Sequence, residues 1–341
     1  MNAEPYNLKN KTLVLGGSGL AGMFNPVSEH DAENILATAI GRGVYHVDTA
    51  PFYGHGLSEV RIGNFLRQNS ELVPQVKLST KVGRLLVPCE QGQVERGIWA
   101  EPLSFNVVFD YSYDGIMRSF ESSAERLGVE TVDTLYIHDL DKRTHGEGLA
   151  GRVRELRDSG WNALLELKSE GRVRNLGIGL NEIGPAISLQ KEFGFDEIML
   201  AGRLTLLDYK EALPLLRICQ DDQTSIVAVG VFNSGILINP SREGVRFDYA
   251  PASTEVQDLA IALQEKCETF GIDLPSAAMA FPRLFSSVRA VAVGVRSSQQ
   301  LEQNLAWNDQ SIPKEFWDDI LGPELSEVAG PGVARIGDRV D

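Results

Sequence analysis

The feature that most constrains this chain is the repeated alternation of short β-branched runs with longer amphipathic segments. Eight runs occur, and each is followed by a segment whose apolar residues recur at three-to-four spacing. The runs begin at Thr12, Val44, Gln75, Val132, Val173, Glu197, Ser225 and Arg289. Strands that alternate with helices form parallel sheets. The pattern predicts a (β/α)8 barrel as a single domain over residues 1–341, with an open doubly wound sheet as the alternative.

Composition excludes several classes of partner. The net charge of −15 argues against nucleic acids and against anionic membrane surfaces. The longest apolar stretch, 226–232, is too short to span a bilayer. Cys89, Cys219 and Cys267 are widely spaced, and the 5 histidines form no ligand motif, so neither a disulfide framework nor a metal site is expected. A cytoplasmic protein that is a monomer or a homodimer fits these features.

A glycine-rich turn near the start imitates a dinucleotide-binding fingerprint. Residues 17–22 read G-x-G-x-x-G after an apolar run. A dinucleotide turn passes directly into its helix, whereas Pro26 intervenes here and the helical pattern begins near Ser28. We therefore expect the turn to let a ligand approach the backbone at the barrel mouth, with Gly19 contacting the substrate.

Three connections are longer than a compact domain usually needs. They cover residues 83–110, 139–160 and 233–253, and each follows the carboxyl end of a predicted strand. Active sites of such barrels lie at that end, and long ordered loops are commonly functional. The first connection carries Trp99, Phe105 and Phe109, which either form a wall of the substrate pocket or pack the loop against the barrel.

Polar residues of four types stand, in order, at or just after successive strand ends. Asp48 ends the second strand, Tyr53 follows five residues later, Lys81 ends the third strand and His138 ends the fourth. Each residue alone also has a structural interpretation, such as a cap or a buried histidine. Together with the segment GVYHVDTAPFYGHGLSEVRIGNFLR, residues 43–67, and with VAVGVRSSQQLEQNLA near the end, they give the chain a close resemblance to the aldo-keto reductase family.

The resemblance implies hydride transfer between a nicotinamide and a substrate carbon. Tyr53 would exchange the proton of the substrate oxygen, and His138 would orient that oxygen. A tyrosine ordinarily titrates near 10, so we expect the Lys81 ammonium to lower the pKa of Tyr53. Asp48 would pair with Lys81 and fix its position.

The resemblance also implies a dinucleotide site at the carboxyl ends of the later strands. Asn181 would hold the nicotinamide carboxamide, although Leu180 stands where a serine often precedes it. The usual aromatic platform for the nicotinamide is replaced by Leu204. The remaining expected cofactor contacts are Arg203, Phe232, Ser234, Gly235, Leu237, Gly294, Arg296, Gln300, Gln303 and Asn304.

The segment after the last strand bears on the choice of cofactor. Members that prefer NADP present a lysine and an arginine to the 2′-phosphate, a group that cations recognise well. Here Gly294 and Val295 are followed by Arg296 as the one cation. The sequence favours NAD, with NADP as the alternative.

Resemblance to an aldose-oxidising branch of the family suggests the reaction. The expected activity is NAD-linked oxidation of an aldose hemiacetal to a lactone. The alternatives are oxidation of pyridoxal at C4 and NADPH-dependent reduction of aldehydes or ketones. Classes outside this reaction also remain, namely a non-catalytic binding protein and an unrelated barrel enzyme.

Overall fold

The structure, a computed structural model, describes residues 12–321. Within that range the chain forms strands β1 (Thr12–Gly16), β2 (His46–Asp48), β3 (Lys77–Val82), β4 (Arg84–Pro88), β5 (Phe105–Phe109), β6 (Val132–His138), β7 (Val173–Leu180), β8 (Glu197–Ala201), β9 (Ser225–Val229), β10 (Arg246–Phe247), β11 (Ala250–Pro251) and β12 (Val288–Gly294). Every run predicted as a strand overlaps one of them.

Eight of these strands in the described range close into a barrel in the order β1-β12-β9-β8-β7-β6-β3-β2. The pairs β1–β2, β2–β3, β3–β6 and β6–β7 are parallel. The predicted (β/α)8 barrel is therefore confirmed, and the open doubly wound sheet is wrong. The carboxyl ends of parallel neighbours lie at the same end of a barrel, which places Asp48, Lys81 and His138 together.

Helices separate the barrel strands. Their bounds are α1 (Glu29–Gly41), α2 (Leu57–Gln68), α3 (Tyr113–Leu127), α4 (Lys142–His145), α5 (Leu149–Glu155), α6 (Trp161–Ser169), α7 (Ile183–Phe193), α8 (Leu213–Asp221), α9 (Thr254–Thr269), α10 (Leu274–Ala280), α11 (Ser298–Asp309) and α12 (Lys314–Ile320).

Helix α1 shows how local sequence sets these bounds. The Ser28 hydroxyl accepts from the Asp31 N–H at 3.1 Å, as a helix N-cap does. Buried Ile35, Leu36 and Ala39 form its inner face, and Gly43 follows the helix with a φ of +82°. The start at Ser28 and the end before Gly43 are as the sequence predicts.

The long connections contain secondary structure of their own. Residues 83–110 form the antiparallel hairpin β4–β5, in which Arg84 pairs with Phe109 and Pro88 with Phe105. Residues 139–160 hold α4 and α5 and end in a π-helical turn, Leu156–Gly160, and residues 233–253 hold the hairpin β10–β11. Among residues 12–321, no helix is long and apolar enough to cross a membrane.

Contacts between residues divide the chain into two compact units. One comprises residues 13–199 and 292–302, and within it lie the four strand-end residues of the proposed chemistry. The other comprises residues 1–12, 200–291 and 303–341, of which residues 1–11 and 322–341 lie outside the described part.

Candidate active site

Strands β2 and β3 bring Asp48 and Lys81 into a buried ion pair. The Lys81 Nζ donates to Asp48 Oδ2 at 2.6 Å and to the Thr49 carbonyl oxygen at 2.9 Å. The two side chains are only 2 % and 5 % exposed. Burial lowers the pKa of Lys81, but the Asp48 charge and Tyr53 outweigh it, so the pKa of Lys81 lies above its ordinary value. Lys81 is therefore an ammonium at neutral pH.

Tyr53 lies in the turn between β2 and α2, next to that ammonium. The Lys81 Nζ is 4.8 Å from the centroid of the Tyr53 ring, and the two side chains are hydrogen-bonded. Burial raises the pKa of Tyr53 to about 12, although Lys81 lowers it. The net shift is the reverse of the one expected from the sequence, because loss of solvent costs the phenolate more than one ammonium returns.

His138 at the end of β6 faces the same tyrosine. The two ring centroids are 6.0 Å apart, in an edge-to-face arrangement. Burial, together with the charges of Arg84 and Lys81, holds the pKa of His138 well below its usual range, so the ring is neutral at pH 7. Its Nδ1 is buried and has no hydrogen-bond partner among the described residues. A neutral imidazole can donate one hydrogen bond to a substrate oxygen.

Two charged residues that sequence reasoning missed, Arg84 and Asp139, complete this side of the site. The Arg84 Nη2 donates to Asp139 Oδ2 at 2.5 Å, and the guanidinium lies 4.2 Å from the centroid of the Phe52 ring. Asp139 Oδ2 is also 3.5 Å from His138 Nε2. Asp139 directly follows the end of β6 and Arg84 comes two residues after the end of β3, so their position near strand ends was the available signal.

Asn181 joins this group from the end of β7. Its Nδ2 donates to Asp139 Oδ1 at 3.2 Å, and its backbone N–H donates to Asp141 Oδ2 at 3.1 Å. The structure thus places Asn181 beside the Tyr53–His138 pair by way of Asp139. Its contact with a nicotinamide carboxamide stays a prediction.

Aromatic residues form a wall beside Tyr53. Trp99 is 3 % exposed and lies 5.8 Å from Tyr53 and 5.3 Å from Phe52, between ring centroids. Its indole N–H is buried without a partner in the described part of the chain. The Phe105 carbonyl oxygen lies 2.6 Å from His55 Nδ1, so the backbone of Phe105 holds the turn that carries Tyr53. Substrate contact by either residue stays a prediction.

The glycine-rich turn packs against neighbouring backbone. The Gly17 N–H donates to the Asp48 carbonyl oxygen at 2.7 Å. A Cβ on Gly19 would overlap the backbone of Val295, and Gly22 ends a short 3₁₀ turn with a φ of +74°. No helix follows directly, since α1 starts at Glu29, which contradicts a dinucleotide turn at this position. Substrate contact by Gly19 stays a prediction, and its lack of a side chain is already explained by packing.

In the other unit, Arg203 forms ion pairs with carboxylates of two separate segments. It donates to Asp208 Oδ2 at 2.5 Å and to Asp248 Oδ2 at 2.6 Å. Burial lowers the pKa of Arg203, while Asp248 and Asp208 raise it, and the net result is above the ordinary value. The structure gives Arg203 a clamping role, and its contact with a cofactor stays a prediction.

The turn after β9 holds the other predicted contacts of this unit. The N–H groups of Gly235 and Leu237 both donate to the Phe232 carbonyl oxygen, at 2.9 and 3.2 Å, so they are committed within the turn. The Ser234 hydroxyl accepts from the Tyr249 N–H at 2.9 Å and keeps its own hydrogen for donation. The expected wrapping of a pyrophosphate by this backbone therefore depends more on Ser234 than the sequence indicated.

The segment after β12 opens α11 and presents several exposed groups. Gly294, Arg296 and Gln300 are exposed, and the Arg296 N–H donates to Gln300 Oε1 at 2.9 Å. In α11, Gln303 is exposed and Asn304 is 5 % exposed. Their contact with a dinucleotide stays a prediction.

A closed parallel barrel with Asp48, Lys81 and His138 buried at its strand ends and Tyr53 half-buried beside them is the arrangement that the sequence predicts for a nicotinamide-dependent oxidoreductase. The model of the Aldo/keto reductase family matches residues 12–322. The chain belongs to the aldo-keto reductase family and is an NAD(P)-dependent oxidoreductase that acts on a small molecule.

Curated relatives cover nearly the whole chain. A pyridoxal 4-dehydrogenase of Microbacterium luteolum is 38 % identical, over 92 % of this chain and 94 % of its own length. A D-threo-aldose 1-dehydrogenase of a Pseudomonas species is 34 % identical, over 95 % and 97 %. Among solved structures, an aldo-keto reductase of Bacillus halodurans in its holo form superposes with a TM-score of 0.68, at 23 % identity over 90 % of each chain. That last likeness supports the fold alone.

Proposed function

We propose that this chain oxidises the C1 hydroxyl of an aldose, in its cyclic hemiacetal form, to a lactone with NAD. One observation carries the proposal: the half-buried Tyr53 has the Lys81 ammonium, the His138 ring and Trp99 all within 6.0 Å of its ring centroid. The apolar face of a sugar ring can pack on an indole while its hydroxyl reaches the phenol. Similarity to the D-threo-aldose 1-dehydrogenase supports the same substrate class.

The chain's own residues account for the handling of the proton. Tyr53 takes the proton of the C1 hydroxyl when it is a phenolate, which its pKa of about 12 makes the minor form at neutral pH. The neutral His138 ring donates a hydrogen bond that orients the same oxygen. Lys81, held by Asp48, supplies the positive charge that favours the phenolate. The hydride from C1 would go to bound NAD, which would also supply a second positive charge. Loss of the proton and the hydride oxidises the substrate by two electrons.

The preference for NAD is argued from the segment after β12. Arg296 is the one cation among residues 294–300. Gln300, whose side chain accepts from the Arg296 N–H, is neutral, so residues 294–300 hold no second cation for a 2′-phosphate. A diol at that position needs hydrogen bonds rather than cations.

Pyridoxal is the second candidate substrate. The relative with 38 % identity is a pyridoxal 4-dehydrogenase. A planar pyridine ring also suits the Phe52–Trp99 wall, where aromatic rings gain from offset or edge contacts. Its hemiacetal would lose hydride and proton in the same way.

The test is the initial rate of NADH or NADPH formation with L-fucose, D-arabinose, L-galactose and pyridoxal, each with NAD and with NADP. We expect NAD-linked oxidation of a sugar, and loss of that rate by roughly 10²- to 10⁴-fold in Tyr53→Phe. Tyr113→Phe is the matched control, because that phenol is on the outer face of α3 and donates to Glu166.

Other outcomes would redirect the proposal. A rate with pyridoxal alone would make pyridoxal the substrate. Silence with all pairs, together with NADPH-driven reduction of simple aldehydes, would contradict both the dehydrogenase reaction and the NAD preference.

A further inference from the structure

Polar side chains of β2 and β3 lie next to one another in the unit that carries Tyr53. Successive side chains of a strand point to opposite faces, so His46 and Asp48 share one face of β2, and Ser79 and Lys81 share one face of β3. The register pairs Asp48 with Ser79. Barrel interiors are normally filled with branched apolar residues. A polar column at this position therefore needs a reason beyond packing.

These side chains form a continuous chain of hydrogen-bonding groups. Lys81 is hydrogen-bonded to the Tyr53 hydroxyl and donates to Asp48 Oδ2 at 2.6 Å. The Ser79 hydroxyl donates to the other carboxylate oxygen, Asp48 Oδ1, at 2.8 Å. Ser79 Oγ lies 3.4 Å from His46 Nε2, which is the longest step. Asp48, Ser79 and Lys81 are buried, whereas His46, at the start of β2, is partly exposed.

We infer that Ser79 and His46 complete a proton path from Tyr53, through Lys81 and Asp48, to solvent at the amino-terminal end of β2. The inference rests on the proposed function, since oxidation of an alcohol leaves one proton on Tyr53 that must depart. The path ends on the side of the barrel opposite the substrate, so it stays open while the mouth is filled.

The protons balance along this path. Tyr53 gives its proton to Lys81 as Lys81 gives one to Asp48. The carboxyl group rotates and passes that proton to Ser79, whose own hydroxyl proton goes to His46 Nε2. His46 then releases a proton from Nδ1 to water, which leaves the Nε2–H tautomer. Exchange with water, one proton leaving Nε2 and one returning to Nδ1, restores the starting Nδ1–H tautomer. No electrons move along the path, and every group ends in its starting state.

The surroundings of His46 fit an acceptor. Burial lowers the pKa of His46, Asp48 on β2 and Asp133 on β6 raise it, and Lys77 and Lys81 on β3 lower it. The net result is below the ordinary value. The ring is then neutral above about pH 6.5 and able to take a proton.

The test compares Ser79→Ala and His46→Gln with Ser79→Thr, which keeps a hydroxyl. We expect a fall in kcat of at least about 10-fold in the first two, with KM for the cofactor unchanged and most of the rate restored in Ser79→Thr. The solvent deuterium isotope effect should rise and the effect of C1-deuterated substrate should fall, because proton departure becomes rate-limiting. Ser119→Ala, at another buried serine, is the control.

Two outcomes separate the path from the reaction it serves. If the enzyme is active and the isotope effects are unchanged in Ser79→Ala and His46→Gln, the proton path is wrong and the proposed function stands. If no substrate of the panel is oxidised, the proposed function fails, and NMR of the His46 ring nitrogens still tests the path. An unchanged His46 tautomer and titration in Ser79→Ala would then overturn it.

Discussion

At the scale of single residues, Arg84 supplies the positive charge that pairs with Asp139 in the candidate site. Its partner Asp139 lies beside His138 and Asn181, and burial raises the pKa of Asp139 while Arg84 lowers it. We predict that Arg84→Met destabilises the fold by about 3–5 kcal/mol, because an unpaired buried carboxylate remains. Denaturant unfolding measures this free energy.

A surface pair of the same chemistry provides the control for Arg84. The Arg118 side chain is 67 % exposed and pairs with Asp110 at 3.2 Å. Arg118→Met should change the free energy of unfolding by only about 0–1 kcal/mol, since solvent screens the pair. Equal losses in the two variants would mean that Arg84 acts by packing on Phe52 rather than by charge.

The Arg84 guanidinium also acts on the neighbouring His138 ring. The pKa of His138 is held down by burial first and by Arg84 second. Removing the guanidinium should therefore raise the pKa of His138, and the acid limb of kcat/KM should move to higher pH in Arg84→Met. Arg84→Lys keeps the charge and should move it less. An acid limb that stays in place in both variants would contradict the electrostatic role.

The residues of the site were predictable to the extent that they stand at strand ends in chain order. Asp48, Tyr53, Lys81 and His138 could be named because a parallel barrel gathers such ends, and the family resemblance gave them roles. Arg84 and Asp139 were not, because their contact joins positions 55 residues apart. The raised pKa of Tyr53 was also missed, since burial depends on the side chains that surround it in the fold.

At the scale of elements, the π-helical turn before α6 fits closely against the loop that supports His138. A Cβ on Gly160 would overlap the Tyr111 carbonyl oxygen, and the Tyr111 hydroxyl donates to the His138 carbonyl oxygen at 2.9 Å. We predict that Gly160→Ala costs about 1–3 kcal/mol of stability, because overpacking must displace that backbone. Thermal or denaturant unfolding measures the loss.

Helix α5 supplies a matched glycine. A Cβ on Gly151 meets nothing within 4 Å. Gly151→Ala should therefore be neutral or stabilise by up to about 1 kcal/mol, since alanine is the better helix former. A small effect of Gly160→Ala would show that the backbone of Tyr111 moves easily, and would contradict a rigid support for His138.

The elements themselves were predicted unequally. The barrel strands and α1 follow from periodicity and capping, which are local properties of the sequence. The hairpin β4–β5 was expected only as a long loop, although it pairs five residues on each strand. Its segments, RLLVP and FNVVF, lack a regular alternation of polar and apolar residues, so periodicity did not predict the pairing.

At the scale of the whole molecule, histidines link stability to pH. The pKa values of His46, His55, His138 and His145 are all lowered, in each case chiefly by burial. In the unfolded chain they titrate near 6.5. Below that pH the unfolded state binds more protons than the native state, so the free energy of unfolding must fall as pH falls.

We predict that this loss begins as pH falls through about 6.5, and that His138 contributes about 1.4 kcal/mol per pH unit below it. Denaturant unfolding at a series of pH values measures the slope, and His138→Gln should reduce it. Carboxylates with lowered pKa, such as Glu121 and Glu192, add their loss only near and below about pH 4.5, so the two windows are separable. A flat stability between pH 7 and about 5 would mean that the native state opens to protonate these rings without unfolding, and would contradict their burial as the cause.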